Sequence, residues 1–183
     1  GSILCCWGWQ NQKKCDKIPK ISKLISSNSI EVERRIRMED VNMTKVKAVI
    51  LAAGKGTRMK SELPKVIHTA LGKPMVNYVI EAALGAGAAR EDICLVVGHK
   101  ADLVKETVGD SVQYVLQEEQ LGTGHAVKCA SEFIGTEGLT MVLCGDTPLI
   151  TGDTLKQLVE THVAEENAIT VLTAIVDDPT GYG

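Results

Sequence analysis

The stretch Val46-Lys47-Ala48-Val49-Ile50-Leu51-Ala52-Ala53-Gly54-Lys55-Gly56-Thr57-Arg58-Met59-Lys60-Ser61-Glu62-Leu63-Pro64-Lys65 decides the fold. Ala48 to Ala53 is an unbroken apolar run of strand length, as a strand covered on both faces requires. It empties into a turn holding two glycines and several cations. Backbone amides left bare by glycine, with fixed positive charge beside a strand end, suit the phosphates of a nucleoside triphosphate.

Downstream of this strand the pattern stays regular. Short apolar runs at Ile93 to Val97, Val112 to Leu116, Thr140 to Leu143 and Ala168 to Val176 read as further strands. Helical periodicity fills the gaps. Pro74 to Leu84 puts Met75, Val76, Val79, Ile80, Ala83 and Leu84 on one stripe, with Pro74 suited to the first turn and Gly85 to the stop. Ala101 to Val108, Gly124 to Phe133 and Asp153 to Glu165 follow, the last with Asp153 as a candidate N-cap. Strands alternating with helices predict an α/β fold, a Rossmann-like layered and mostly parallel sheet, whose ligand crevice lies at the carboxyl ends of the strands. Gly54, His99, Gln117 and Gly145-Asp146 all follow such ends.

Composition narrows the function classes. The 183 residues are 44% hydrophobic with a formal net charge of -3, enough apolar material for one globular domain. A mildly acidic chain lacks the broad basic footprint of a nucleic-acid binder, so any phosphate site depends on local cations. No apolar run reaches the roughly 18 residues of a membrane span, and the flanks of Ile3 to Trp9 are wrong for a signal peptide, so a cytoplasmic address is expected. The six cysteines show no CxxC spacing, which favours reduced thiols over a metal site, with Cys94, Cys129 and Cys144 expected to be buried structurally. Residues 1–45 carry both tryptophans and no sustained period, and are expected to be a non-native or disordered extension. The domain is assigned to residues 46–183.

Several motifs invite specific chemistry, and each has a plainer structural alternative. Gly54-Lys55-Gly56 opens a GxGxxG pattern, but Met59 stands where the third glycine belongs, and no Walker A spacing is present. What remains is a turn whose Gly54 and Gly56 admit a ligand, with Thr57 adding a hydroxyl and Arg58 and Lys65 adding charge; the alternative is an ordinary βα turn with solvated lysines. Gln117 offers a donor and an acceptor to a base edge, and Gly122 leaves room beside it. It could equally be a solvated residue at a strand end. Asp146, directly after Met141-Val142-Leu143-Cys144, presents a carboxylate at the crevice mouth, suited to Mg2+ with its preference for one or two carboxylates plus phosphate oxygens. A turn or cap role is the alternative. His68, His99, His125 and His162 fit polar caps or solvated positions, His125 being nearest the pocket, and Glu118-Glu119 and Glu165-Glu166 read as solvated faces.

The pattern LxxGxGTRMxxxxPK over Leu51 to Lys65 resembles the signature of the sugar-phosphate nucleotidyltransferases. Leu63 to His68, Gln117 to Ala126, Gly145 to Ile150 and Asp178 to Gly183 continue the resemblance. In this order they are similar to the uridyltransferase domain of the bacterial bifunctional family that couples N-acetylglucosamine-1-phosphate uridyltransferase to glucosamine-1-phosphate acetyltransferase. The resemblance implies a nucleotidyltransferase-type fold in which Leu51, Ala53 and Gly54 line the nucleotide, joined by Gly56 and Thr57. Arg58 and Lys65 would grip the triphosphate, and Gln117, Gly122 and Thr123 would meet the uracil. It further implies Mg2+ at Asp146 and a sugar-phosphate site beginning at Gly183.

The implied reaction transfers a uridylyl group from UTP to N-acetylglucosamine 1-phosphate for cell-envelope precursor synthesis, without nucleic acid or membrane. Thymidylyl, cytidylyl or guanylyl transfer and a non-catalytic nucleotide-sugar sensor are the rivals. In the family the chain continues past this point into the amino-sugar pocket, a second metal ligand and an acetyltransferase domain that forms trimers. A C-terminally truncated domain is therefore expected, retaining nucleotide binding better than turnover.

Overall fold

The structure, a computed structural model, describes the backbone of residues 2–5 and residues 44–54, 56 and 59–174. Eight strands appear among them: β1 (Ser2–Cys5), β2 (Val46–Ala52), β3 (Thr69–Ala70), β4 (Lys73–Pro74), β5 (Ile93–Val97), β6 (Gln113–Leu116), β7 (Leu139–Cys144) and β8 (Ile169–Val171). The helices are α1 (Met75–Gly85), α2 (Ala101–Val108), α3 (Thr123–Cys129), α4 (Ser131–Ile134) and α5 (Gly152–Ala164). Six strands form one sheet in the order β6-β5-β2-β7-β1-β8, every pair parallel, while β3 and β4 make a small antiparallel hairpin. This is the layered α/β arrangement expected from the alternation of apolar runs and helical stripes.

Because side chains alternate across a strand, β2 serves two cores. Ala48, Ile50 and Ala52 enter the larger one with Leu95, Met141 and Leu143, beneath Val76, Val79 and Ile80 of α1 and Leu155 and Val159 of α5. Val49 and Ala53 enter the smaller one with Val96, Ala126 and Ala130, covered by α3 and α4. Each fully buried Val or Ile contributes about 1.5–3 kcal/mol relative to exposure, so both faces of the central strands must be covered. Cys94 is fully buried, and burial pushes its thiol up to about 11. Cys129 and Cys144 are only half-buried, a departure from the expected burial of all three.

Several boundaries depart from the sequence reading. Pro74 is the N-cap of α1 and the end of β4 rather than a first-turn residue. Thr151, not Asp153, caps α5, its hydroxyl accepting from the Thr154 amide at 3.2 Å. The single helix expected over Gly124 to Phe133 is two, divided at Ala130. β8 covers Ile169–Val171 within the longer run expected, and β1 has no counterpart in the sequence reading.

The chain order places the crevice. From β2 the chain moves outward to β5 and β6, then returns past β2 to β7 on the opposite side. The carboxyl ends of β2 and β7 therefore flank the point where the winding reverses, the position at which open α/β sheets bind ligands.

Candidate functional site

A cleft of about 380 Å3 opens at this reversal point. Register brings its two walls together: Leu51 lies opposite Cys144, and the Gly145 amide donates to the Leu51 carbonyl at 3.0 Å. A side chain at residue 145 would meet that carbonyl at 2.9 Å, so only glycine lets β7 release Asp146 at this point.

Leu51, Ala53, Gly54, Gly56, Lys65, Gln117, Gly122, Thr123 and Asp146 all line the cleft. Nine residues singled out from the sequence thus share one cavity. Thr57, Arg58 and Gly183 lie outside the described residues. Gln120, Val66, Ala126 and Cys144 line it as well and were not assigned roles. Gln120 was within reach of sequence reasoning, standing inside the quoted run, whereas Val66 and Ala126 carry no polar signal.

The glycines act by conformation and by absence of bulk. Gly56 has φ +59°, and a Cβ there would fall 2.8 Å from Cβ of Lys65, so glycine is what brings the turn against the lysine. Gly122 has φ +97° and open space where a side chain would project. The turn is further held by Gln120, whose Nε2 donates to the Ala53 carbonyl at 2.7 Å.

One end of the cleft is charged. Lys65, at the start of a short 3-10 turn over Lys65–Ile67, donates from Nζ to Oδ2 of Asp146 at 2.7 Å. The side chains are 41% and 34% exposed, and a pair so open to water contributes only about 0–1 kcal/mol. A pair held so weakly can be separated at little cost. Among the described residues no three acidic, His or Cys side chains cluster as a metal site, so Asp146 stands as a single carboxylate.

The other end is neutral. Gln117 follows β6, its amide donating to the Val97 carbonyl at 2.7 Å, and is 4% exposed, which corrects the alternative of a solvated strand end. Its Nε2 lies 3.0 Å from the Gly122 carbonyl and 3.1 Å from Nδ1 of His125. His125 backs Gln117 and is not among the residues lining the cleft. Of its polar-cap and solvated alternatives, the solvated one fails for His162, which is buried in the last turn of α5 and bonds Thr170 at 2.9 Å. Glu118, Glu119, Glu165 and Glu166 are exposed, as their solvated reading requires.

A second cavity of about 440 Å3 shares Gly54 and is lined by Lys60, Glu62, Pro64, His99 and Lys100. Lys100 Nζ donates to the Glu62 carbonyl and carboxylate at 2.5 and 2.8 Å, tying the glycine-rich turn to the end of β5. That hydrogen bond, and secondarily the ammonium charge, holds the Glu62 carboxyl below its usual range.

A MobA-like NTP transferase domain model matches residues 48–179. The chain is 55% identical over 141 residues to the Bifunctional protein GlmU of Caldanaerobacter subterraneus subsp. tengcongensis, covering 77% of this chain and 30% of that protein. It thus spans about 30% of the length of the curated relatives it matches. A crystal structure of UDP-glucose pyrophosphorylase complexed with UDP-glucose superposes with a TM-score of 0.57 at 23% identity, over 68% of this chain and 55% of that one. The manganese complex of Rv0371C from Mycobacterium tuberculosis superposes with a TM-score of 0.53 at 21% identity, over 66% and 61%. These two likenesses show the shared fold. With the crevice, its glycine turn and its lysine-aspartate end in place, and a family model matching most of the residues, the chain belongs to the MobA-like NTP transferase domain family.

Proposed function

We propose that the cleft binds UTP and that the chain transfers its uridylyl group to N-acetylglucosamine 1-phosphate, giving UDP-N-acetylglucosamine and pyrophosphate. The observation that carries this reading is the polarity of the cleft, with a neutral base-sized end at Gln117, Gly122 and Thr123 and a charged end at Lys65 and Asp146. A nucleoside triphosphate has the same polarity. The resemblance of the Gln117 to Ala126 run to the uridyltransferases supports uridine as the nucleoside.

Asp146 is the residue proposed to hold a divalent cation, Mg2+ in this reading. The donor set fits: one carboxylate oxygen at a water-accessible cleft, leaving most coordination to phosphate oxygens and water, is how Mg2+ is commonly bound. When bound, the ion would neutralise phosphate charge. Lys65, released from Asp146, would bind the triphosphate and the departing pyrophosphate, and Arg58 is assigned the same role.

An oxygen of the sugar 1-phosphate forms the new bond to the α-phosphorus as the bond to pyrophosphate breaks in line. No general base is needed, because a phosphate monoester has its second pKa near about 6 and is already largely dianionic at neutral pH. The protein's work is to hold two polyanions together and to offset their charge. Removing one such charge-stabilising group costs on the order of 3 kcal/mol, about a hundredfold in rate.

Pyrophosphate release tests the reading. The expected result is release from UTP that requires Mg2+ and N-acetylglucosamine 1-phosphate and exceeds that with glucose 1-phosphate. Binding of UTP without pyrophosphate release by a form of the domain extended through the amino-sugar pocket would instead mark a nucleotide sensor.

A further inference from the structure

The neutral end of the cleft contains a hydrogen-bond chain whose direction is fixed by chemistry alone. The carboxamide of Gln117 faces the Gly122 carbonyl at 3.0 Å. Two oxygens at that distance would repel with no proton between them, so the amide nitrogen must be the group that faces the carbonyl. The same nitrogen lies 3.1 Å from Nδ1 of His125. Its second hydrogen therefore points to Nδ1, which accepts, and the ring proton of neutral His125 sits on Nε2. Sγ of Cys129, one helical turn along α3, lies 3.8 Å from Nε2 and 4.0 Å from Nδ1.

Both hydrogens of the Gln117 amide are consumed in this way. Its Oε1 has no hydrogen-bond partner among the described residues and is not sealed from solvent. Gln117 lines the cleft, so the atom left for a ligand there is an acceptor.

We propose that His125 is a positioning residue that locks the Gln117 carboxamide with its oxygen available to the base, so that the cleft selects a pyrimidine whose ring nitrogen carries a hydrogen. Uracil and thymine donate from N3 to such an oxygen. Cytosine presents a lone pair at N3, and the two acceptors would face each other. Without His125 as acceptor the Gly122 carbonyl alone holds the amide nitrogen, so one of the two restraints against presenting that nitrogen to cytosine is lost. This inference rests on the proposal that the cleft takes a nucleoside triphosphate, and it assigns the base discrimination to a residue outside the cleft lining.

Calorimetric affinities for UTP, dTTP and CTP in Mg2+ test it, on the 183-residue chain and on two variants. His125→Phe keeps the ring volume and removes the acceptor. His125→Asn returns an acceptor near the position of Nδ1. The parent chain is expected to favour UTP over CTP by on the order of tenfold or more, as loss of a buried hydrogen bond implies, with dTTP following UTP at the base edge. His125→Phe should lower that ratio severalfold, the Gly122 carbonyl still holding the nitrogen, and His125→Asn should recover it. Circular dichroism checks folding, and should the Phe variant unfold, His125→Ala carries the comparison. An unchanged UTP to CTP ratio in a folded variant lacking the acceptor overturns the positioning role and leaves the proposed function standing. Failure of the parent chain to bind any of the three nucleotides overturns both.

Discussion

Lys65 and Asp146 meet at 2.7 Å while each keeps a third or more of its side chain in water. Their mutual attraction is therefore worth little to the fold, and under the proposed function each gives up the other for a ligand. Asp146→Asn should shift the free energy of unfolding by no more than about 1 kcal/mol, a few degrees in Tm for a domain of this size. The same variant should lose at least tenfold in Mg2+-dependent UTP affinity by calorimetry, on the scale of a lost charge-assisted contact. Retained affinity would remove Asp146 from the site. The residues legible from sequence were those whose chemistry is local: glycines in a turn, a cation beyond it, a carboxylate after a strand. His125 was not legible in its present role, because its partner Gln117 depends on how the loop between β6 and α3 folds back. Nothing in the residue string fixes the direction of an amide.

At the scale of elements, α1 and α5 touch backbone to backbone. A Cβ on Gly152 would come within 3.0 Å of Cα of Gly85 and 3.2 Å of its carbonyl carbon. Alanine ordinarily improves a helical glycine by up to about 1 kcal/mol, but neighbouring backbone cannot step aside as a flexible side chain does. Gly152→Ala should therefore destabilise, by about 1–3 kcal/mol in urea unfolding; a stabilised variant would show that the two helices separate easily. His162 joins α5 to β8 through Thr170, and burial lowers its pKa from the usual 6.5. The unfolded chain then binds the proton more readily than the folded one, so this contribution is fully present above about pH 6.5 and is lost as pH falls from there toward the depressed folded value. Unfolding followed between pH 7.5 and 5.5 should show a fall in stability that His162→Gln reduces; an identical fall in the variant would assign it to other groups. Helix boundaries were less legible than helices. The break at Ala130 carries neither glycine nor proline, and Thr151 outcompetes Asp153 as a cap because its hydroxyl reaches the Thr154 amide.

For the whole molecule, apolar runs and helical stripes were sufficient to infer a parallel sheet, since strands covered on both faces need crossover helices. They were not sufficient for strand order. That order depends on which edges pair, and the placement of Ser2–Cys5 between β7 and β8 could not be anticipated from four residues without a pattern. Among the described residues β8 pairs only with β1. Deleting residues 1–43 should consequently raise amide exchange at Ile169, Thr170 and Val171. UTP affinity should persist, because the cleft is built on β2, β6 and β7. Protection of β8 unchanged by the deletion would mean that β8 is held by something other than β1.

The central claim is that the crevice between the carboxyl ends of β2 and β7 is a metal-assisted nucleoside triphosphate site. Isothermal titration calorimetry of the intact chain with UTP, once with magnesium chloride and once with EDTA, addresses it most directly. Saturable binding at one site per chain, weakened at least tenfold by EDTA, is the predicted result. Equal binding in the two buffers, or none in either from a folded sample, would contradict it.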